Sequence, residues 1–246
     1  VLEAIWEFRR NVEALRVDAT GSLRLASSYT VAEHLLPRWL AAFGDRCPDV
    51  CVELEVVNSV EVQDRVLGRD ADLGFVETTA ELRPGLDARD VGTDELVVVV
   101  GRSHPWWGRI VAVDAVALAG SRLVLREAGS GTRAAFEDAL RASGVTVPRA
   151  ALELGSTVAV KNAVADGSGV GVLSRLAVVS EQALGTLWIV PTEGIDARRA
   201  LRAVWRAREQ SRQEVSTFLH VVDEHMTSGL AGVPDRTRRT SDRAPR

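Results

Sequence analysis

The stretch Leu123-Val124-Leu125-Arg126-Glu127-Ala128-Gly129-Ser130-Gly131-Thr132-Arg133 runs from apolar residues, through a polar turn with two glycines, into a segment carrying Phe136, Ala139 and Leu140 at helical spacing. A short apolar run followed by that spacing is a β-strand feeding a helix. The same order recurs on both sides. Leu23 and Leu25 flank Arg24, then Ser27-Ser28-Tyr29-Thr30 leads into one helical run through Val31, Leu35, Leu36, Trp39, Leu40 and Phe43. Val50, Val52, Leu54 and Val56 alternate with Cys51, Glu53 and Glu55, and Asn58-Ser59 leads into a run through Val66 and Leu67. Leu152 to Leu154 passes through Gly155-Ser156-Thr157 into a helix ending at Gly167. Further strands are expected at Leu73 to Val76, Leu96 to Val100, Val170 to Leu173, Leu187 to Val190 and Leu201 to Trp205, with a closing helix through Val215, Phe218, Leu219 and Val222. Strands alternating with helices of 10 to 15 residues (roughly) imply βαβ units and parallel sheet.

Four strand-to-helix turns carry small polar residues: Ser27, Ser28 and Thr30; Asn58 and Ser59; Ser130 and Thr132; Ser156 and Thr157. In an α/β sheet such turns lie at the carboxyl ends of the strands, where ligands bind at a topological switch. Each opens a helix, whose free N–H groups and positive dipole end favour an anion. Capping alone is the other reading, since Ser, Thr and Asn are the preferred N-caps of any helix. The repetition, with Gly129 and Gly131 permitting close backbone approach, favours a polar or anionic ligand.

The remaining features set bounds. With 46% apolar and 26% charged residues among 246, the composition is that of a globular protein, which excludes collagenous and disordered chains. No apolar run approaches the roughly 18 residues of a membrane span. Cys47 and Cys51 are the only cysteines and make neither a disulfide framework nor a four-ligand zinc site. No secretory leader is visible, so the cytoplasm is the expected compartment. Val1, Ile5, Phe8, Val12 and Leu15 follow a heptad seam, the expected end of a dimerising helix over residues 1–18. The net charge is −4; from Ser228 on, five arginines face two aspartates, leaving −7 for the rest, and residues 227–246 are expected to be a disordered tail. An acidic body makes a poor phosphate-backbone binder. Gly129-Ser-Gly-Thr-Arg133 lacks the lysine of a P-loop, and Gly167-Ser-Gly-Val-Gly171 runs from helix to strand, the wrong order for a dinucleotide fingerprint. His34, His104, His220 and His225 are scattered, and no nucleophile, base and oxyanion hole assemble. No cofactor, metal or enzymatic activity is expected.

Taken in order, Gly21-Ser-Leu-Arg-Leu-Ala-Ser-Ser28, Leu35-Leu-Pro37, Cys47-Pro48, Val57-Asn-Ser59, Asp72-Leu-Gly-Phe-Val-Glu77, Asp94 to Gly101 with Ser103-His-Pro105, Arg126-Glu127 with Gly129 to Arg133, Ala163-Val-Ala-Asp-Gly167 and Gly169 to Ser174 resemble the effector-binding domain of LysR-type transcriptional regulators. The resemblance covers residues 19 to 225. It implies an α/β fold of two Rossmann-like subdomains with a central cleft, the type 2 periplasmic-binding-protein-like arrangement. By that pattern subdomain I comprises 19–99 and 197–226, and subdomain II 100–196. It also implies a small effector in the cleft, DNA met through an N-terminal winged helix-turn-helix that this chain does not contain, a homodimer or homotetramer, and no membrane. Carried over by position, Ser27, Ser28, Thr30, Asn58 and Ser59 would line one wall and Ser130, Gly131, Thr132 and Val170 the other. The Arg126-to-Arg133 stretch is most similar to regulators answering small oxyanions or phosphorylated metabolites. Glu77 and Glu127 are expected to pair with arginine or face away. The alternative is a periplasmic-type solute-binding protein of a transporter, which shares the cleft; a small-anion enzyme is a third reading.

Overall fold

The computed structural model describes residues 21–79, 81–207 and 212–229; the heptad segment and the arginine-rich stretch from Leu230 on lie outside the described residues. The strands are β1 (Ser22–Ser27), β2 (Cys51–Val56), β3 (Leu73–Thr78), β4 (Leu86–Val100), β5 (Leu123–Arg126), β6 (Leu152–Leu154), β7 (Val170–Ser174), β8 (Trp188–Val190) and β9 (Arg198–Arg206). The helices are α1 (Tyr29–His34), α2 (Leu36–Arg46), α3 (Ser59–Leu67), α4 (Ala115–Ala119), α5 (Gly131–Ala142), α6 (Thr157–Ala165), α7 (Val179–Leu184) and α8 (Gln213–Gly229), with a 3₁₀ turn at Arg175–Val178.

The strand order is β2-β1-β3-β9-β4-β7-β5-β6, with β8 also on β4. β4 belongs to two sheets. Its residues Leu86 to Glu95 pair antiparallel with β9, and Leu96 to Val99 pair antiparallel with β7. It is the span between two α/β subdomains, and β9 is its partner on the return. The parallel pairs are β1 with β2 and β3, and β5 with β6 and β7. The sheet is therefore mixed rather than wholly parallel, because both strands that cross between subdomains run against their neighbours.

Side chains alternate across each strand and fill a core on either face. In β4, Leu96, Val98 and Val100 join Leu123, Leu125, Phe136 and Leu140, whereas Val97 and Val99 join Val124, Val160, Val164 and Leu173. In the other subdomain Leu23, Leu25, Leu73 and Phe75 pack on Trp39, Phe43 and Phe218, and Val76 and Val204 pack on Val62 and Val66 of α3. Each such side chain, fully buried, contributes about 1.5–3 kcal/mol before chain entropy is charged against it.

Three differences from the sequence reading have clear causes. The run Val31 to Phe43 is two helices broken at Leu35, because Pro37 lacks an N–H and is accommodated only in a first turn, here that of α2. β4 is 15 residues long rather than the five apolar ones. Its first part carries Asp87, Arg89, Asp90, Asp94 and Glu95, so no apolar alternation announces it. β2 is the sheet edge, and Leu54 and Val56 are exposed despite their alternation with acids.

Candidate functional site

The carboxyl ends of β1, β3, β5 and β7 converge where the subdomains meet, and a single arginine organises the contact. Arg199, near the start of β9, has a side chain with 0% exposure. Its Nε and Nη2 donate to Asp94 Oδ2 at 2.9 and 2.7 Å, and Asp94 is its register partner on β4. Nη1 donates to Thr132 Oγ1 at 2.9 Å and lies 2.5 Å from Glu77 Oε2. Nη2 also donates to Thr30 Oγ1 at 3.2 Å. The arginine thus joins Thr30 of α1, in the first subdomain, to Thr132 of α5, in the second. A buried charge is tolerated only when paired and hydrogen-bonded, and here two carboxylates and two hydroxyls meet that need. Asp94 is itself held, through Oδ1, by Ser174 Oγ at 2.7 Å.

Glu77 is the second meeting point. Its Oε1 accepts from the Thr30 N–H at 3.0 Å, and its own N–H donates to Ser59 Oγ at 3.2 Å. Its carbonyl presses on α5: a Cβ at residue 131 would stand 1.9 Å from that oxygen, so only glycine fits. Gly129 has φ +90°, and its backbone lies against the Asn58 amide. Nearby, the Arg126 guanidinium stacks 4.4 Å over the Tyr29 ring, pairs with Glu127 at 2.8 and 2.9 Å, and donates to Thr157 Oγ1 at 3.2 Å. Both glutamates therefore pair with arginine, as the sequence reading expects.

The nine residues named from the sequence fall into four groups. Thr30, Ser59, Gly131 and Thr132 converge on Arg199 and Glu77. Asn58 faces Gly129 but uses its side chain to accept from the Val60 and Glu61 N–H groups at 3.1 and 3.0 Å. Ser27, Ser28 and Ser130 are buried at the same strand ends, and the Ser27 hydroxyl donates to the Ser28 carbonyl at 3.1 Å. Val170 is corrected. It begins β7, pairs with Leu123 at the far end of the sheet from Ser174, and packs in the second subdomain's core. The sequence does not single out Arg199, Asp94 or Ser174 as site residues, although Asp94 and Ser174 lie in the motifs of the resemblance. The available signal was the adjacent pair Arg198-Arg199 at the head of β9, whose side chains must point to opposite faces of the sheet.

His34, at the end of α1, has its Nε2 buried without a hydrogen-bond partner, 3.7 Å from Glu33. Burial lowers its pKa below 6.5, opposed by Glu33 and reinforced by Lys161.

Residues 17–227 match the LysR substrate binding domain family. The chain belongs to that family. An HTH-type transcriptional regulator of Mycobacterium tuberculosis is 37% identical over 215 residues, covering 83% of this chain and 68% of the regulator. The regulator YeiE of Escherichia coli is 32% identical over 225 residues, covering 89% of this chain and 73% of its own length. Among solved structures, the regulatory domain of CcmR from Synechocystis, in complex with 2-PG, superposes with a TM-score of 0.75 at 32% identity, covering 84% of this chain and 97% of that domain. This LysR-type effector-binding domain has the type 2 periplasmic-binding-protein-like fold. The relatives described above are regulators, and the reading as a transporter's binding protein is not favoured. Among the described residues no helix is long and apolar enough to cross a membrane.

Proposed function

We propose that this LysR effector-binding domain senses a small anion held where Arg199, Thr30 and Thr132 meet, and that it does so in the cytoplasm without catalysing a reaction. The observation that carries the reading is the Arg199 side chain, which hydrogen-bonds the opening turn of a helix from each subdomain. Subdomain I is taken as 19–99 with 197–226 and subdomain II as 100–196. Ser27, Ser28, Asn58, Ser59, Ser130 and Gly131 complete the walls. A ligand bridging both walls has different affinity for different subdomain arrangements, which is the requirement for it to shift their populations. Regulators of this family are DNA-binding and oligomeric. In this protein the arrangement would be passed to DNA-binding parts of a homodimer or homotetramer, and a tenfold change in promoter affinity requires about 1.4 kcal/mol of coupling. The 2-phosphoglycolate in the CcmR complex is an anion of the class meant.

The test is the melting temperature of the chain with millimolar sulfate, sulfite, phosphate, small carboxylates, 2-phosphoglycolate, sugar phosphates and neutral sugars. A ligand at 100 times its dissociation constant adds about 2.7 kcal/mol. A selective upward shift with an anion supports the proposal. Silence toward all anions with a response to a neutral solute overturns it.

A further inference from the structure

Glu77 already occupies the place of an anion. Its side chain is 3% exposed, and its two carboxylate oxygens take two donors at the subdomain junction: the Thr30 N–H and Arg199 Nη1. Thr30 is the second residue of α1, and its amide is one that the N-cap side chain ordinarily satisfies. Ser28 is that N-cap, with an extended backbone at φ −63° and ψ 155°, yet it makes no capping bond, and its buried hydroxyl has no partner. A carboxylate from β3 has taken over the cap that Ser28 could supply.

Two features make this contact replaceable. Arg199 does not depend on Glu77 for a counterion, since Asp94 accepts from both Nε and Nη2 across the β4–β9 ladder and is anchored by Ser174. The N-terminus of α1 keeps Ser28 in reserve as a conventional cap. The Asp94 pair is thus the fixed half of the cluster and the Glu77 pair the exchangeable half.

We propose that the Glu77 carboxylate fills an anion site from within, and that an anionic effector binds by displacing it from Arg199 Nη1 and the Thr30 N–H. This rests on the reading that an anion is sensed at this junction. Effector affinity is then the difference between what the incoming oxyanion and Glu77 gain from the same donors, so removing the carboxylate tightens binding. Neutral ligands are disfavoured because they would exchange the charge-assisted bonds of Glu77 with Arg199 Nη1 and the Thr30 N–H for weaker neutral ones.

The experiment compares the 246-residue chain with Glu77→Ala and Glu77→Gln, by melting in chloride, formate, acetate and sulfate and by calorimetric titration with sulfate and 2-phosphoglycolate. Glu77→Ala is expected to melt lower in chloride and to regain most of that loss in formate or acetate, salts that leave the wild type unmoved. Glu77→Gln, which keeps the side-chain shape, is expected to bind sulfate or 2-phosphoglycolate at least about tenfold more tightly than the wild type, a difference of about 1.4 kcal/mol. A stability loss in Glu77→Ala that no anion restores overturns the assignment, as does a Glu77→Gln variant that binds no tighter. If the wild type binds an anion and Glu77→Gln gains nothing, the built-in anion falls and anion sensing stands. If formate rescues Glu77→Ala while the wild type answers no anion in the wider panel, the assignment stands and anion sensing falls.

Discussion

The turns that open α3 and α6 use the same residue types as those that open α1 and α5, but they spend them differently. Asn58 accepts from two amides of its own helix, and Ser156 accepts from the Ala159 N–H at 3.1 Å. Ser28 and Ser130 have the extended backbone of an N-cap and make no capping bond. Each is followed two residues later by a threonine, Thr30 or Thr132, whose hydroxyl goes to Arg199. The first pair of turns is closed on itself; the second is open toward the junction. A polar helix start is a local stabiliser when its side chain turns back, and it becomes available to a partner when it does not.

Substitutions can break this contrast. The largest effect is expected from Arg199→Leu, which leaves Glu77 and Asp94 buried without their cation and lowers unfolding free energy by about 3–5 kcal/mol. Denaturant melts check it, and a loss no greater than that of a missing cap would place Arg199 among ordinary surface pairs. Gly131→Ala forces a methyl against the Glu77 carbonyl and is expected to cost about 1–3 kcal/mol. The same substitution at Gly44 of α2, beside which a Cβ would meet nothing within 4 Å, controls for the change of residue type in a helix. Asn58→Ala is expected to cost about 1 kcal/mol as a lost cap. Ser28→Ala should stay within about 0.5 kcal/mol, because its hydroxyl makes no bond to lose. Equal losses in those two variants would erase the distinction between closed and open turns.

The smallest effect concerns the other end of α1. With its pKa depressed by burial in the fold, His34 is protonated first in the unfolded chain as the pH falls, so its contribution is complete above 6.5 and is lost as the pH drops through the lower, folded value. His104, also lowered by burial, acts with the same sign. Glu33, Lys161, Asp94 and Glu181 surround His34 and set the size of the effect. His34→Gln should flatten the decline in melting temperature as the pH falls below 6.5. An unchanged slope would assign that decline to His104.

Where burial imposes a period, the sequence is transparent. β1, β3, β5 and β7 bury both faces or nearly so, and their apolar runs mark them within a residue or two. The crossing part of β4 is held by its backbone ladder with β9 rather than by an apolar face, and its charged residues hide it. The site divides in the same way. Thr30, Ser59, Gly131 and Thr132 stand out in the sequence as small polar residues and glycine at strand-to-helix turns, a pattern shared with the simple caps Asn58 and Ser156. Arg199 does not stand out, since it lies 67 residues from Thr132 and 169 from Thr30 in the chain, and only the return of β9 brings them together. Val170 was carried over by position, and register alone shows that it starts its strand at the wrong end.

The most direct test of the account is calorimetric titration of 2-phosphoglycolate and of sulfate into the wild type, Thr132→Val and Ser156→Ala. Thr132→Val removes an acceptor from Arg199 at the open turn, whereas Ser156→Ala removes a cap from a closed one. The account predicts at least about a tenfold loss of affinity in Thr132→Val, about 1.4 kcal/mol, with Ser156→Ala binding as the wild type does. Unchanged binding in Thr132→Val, or an equal loss in both variants, would contradict it.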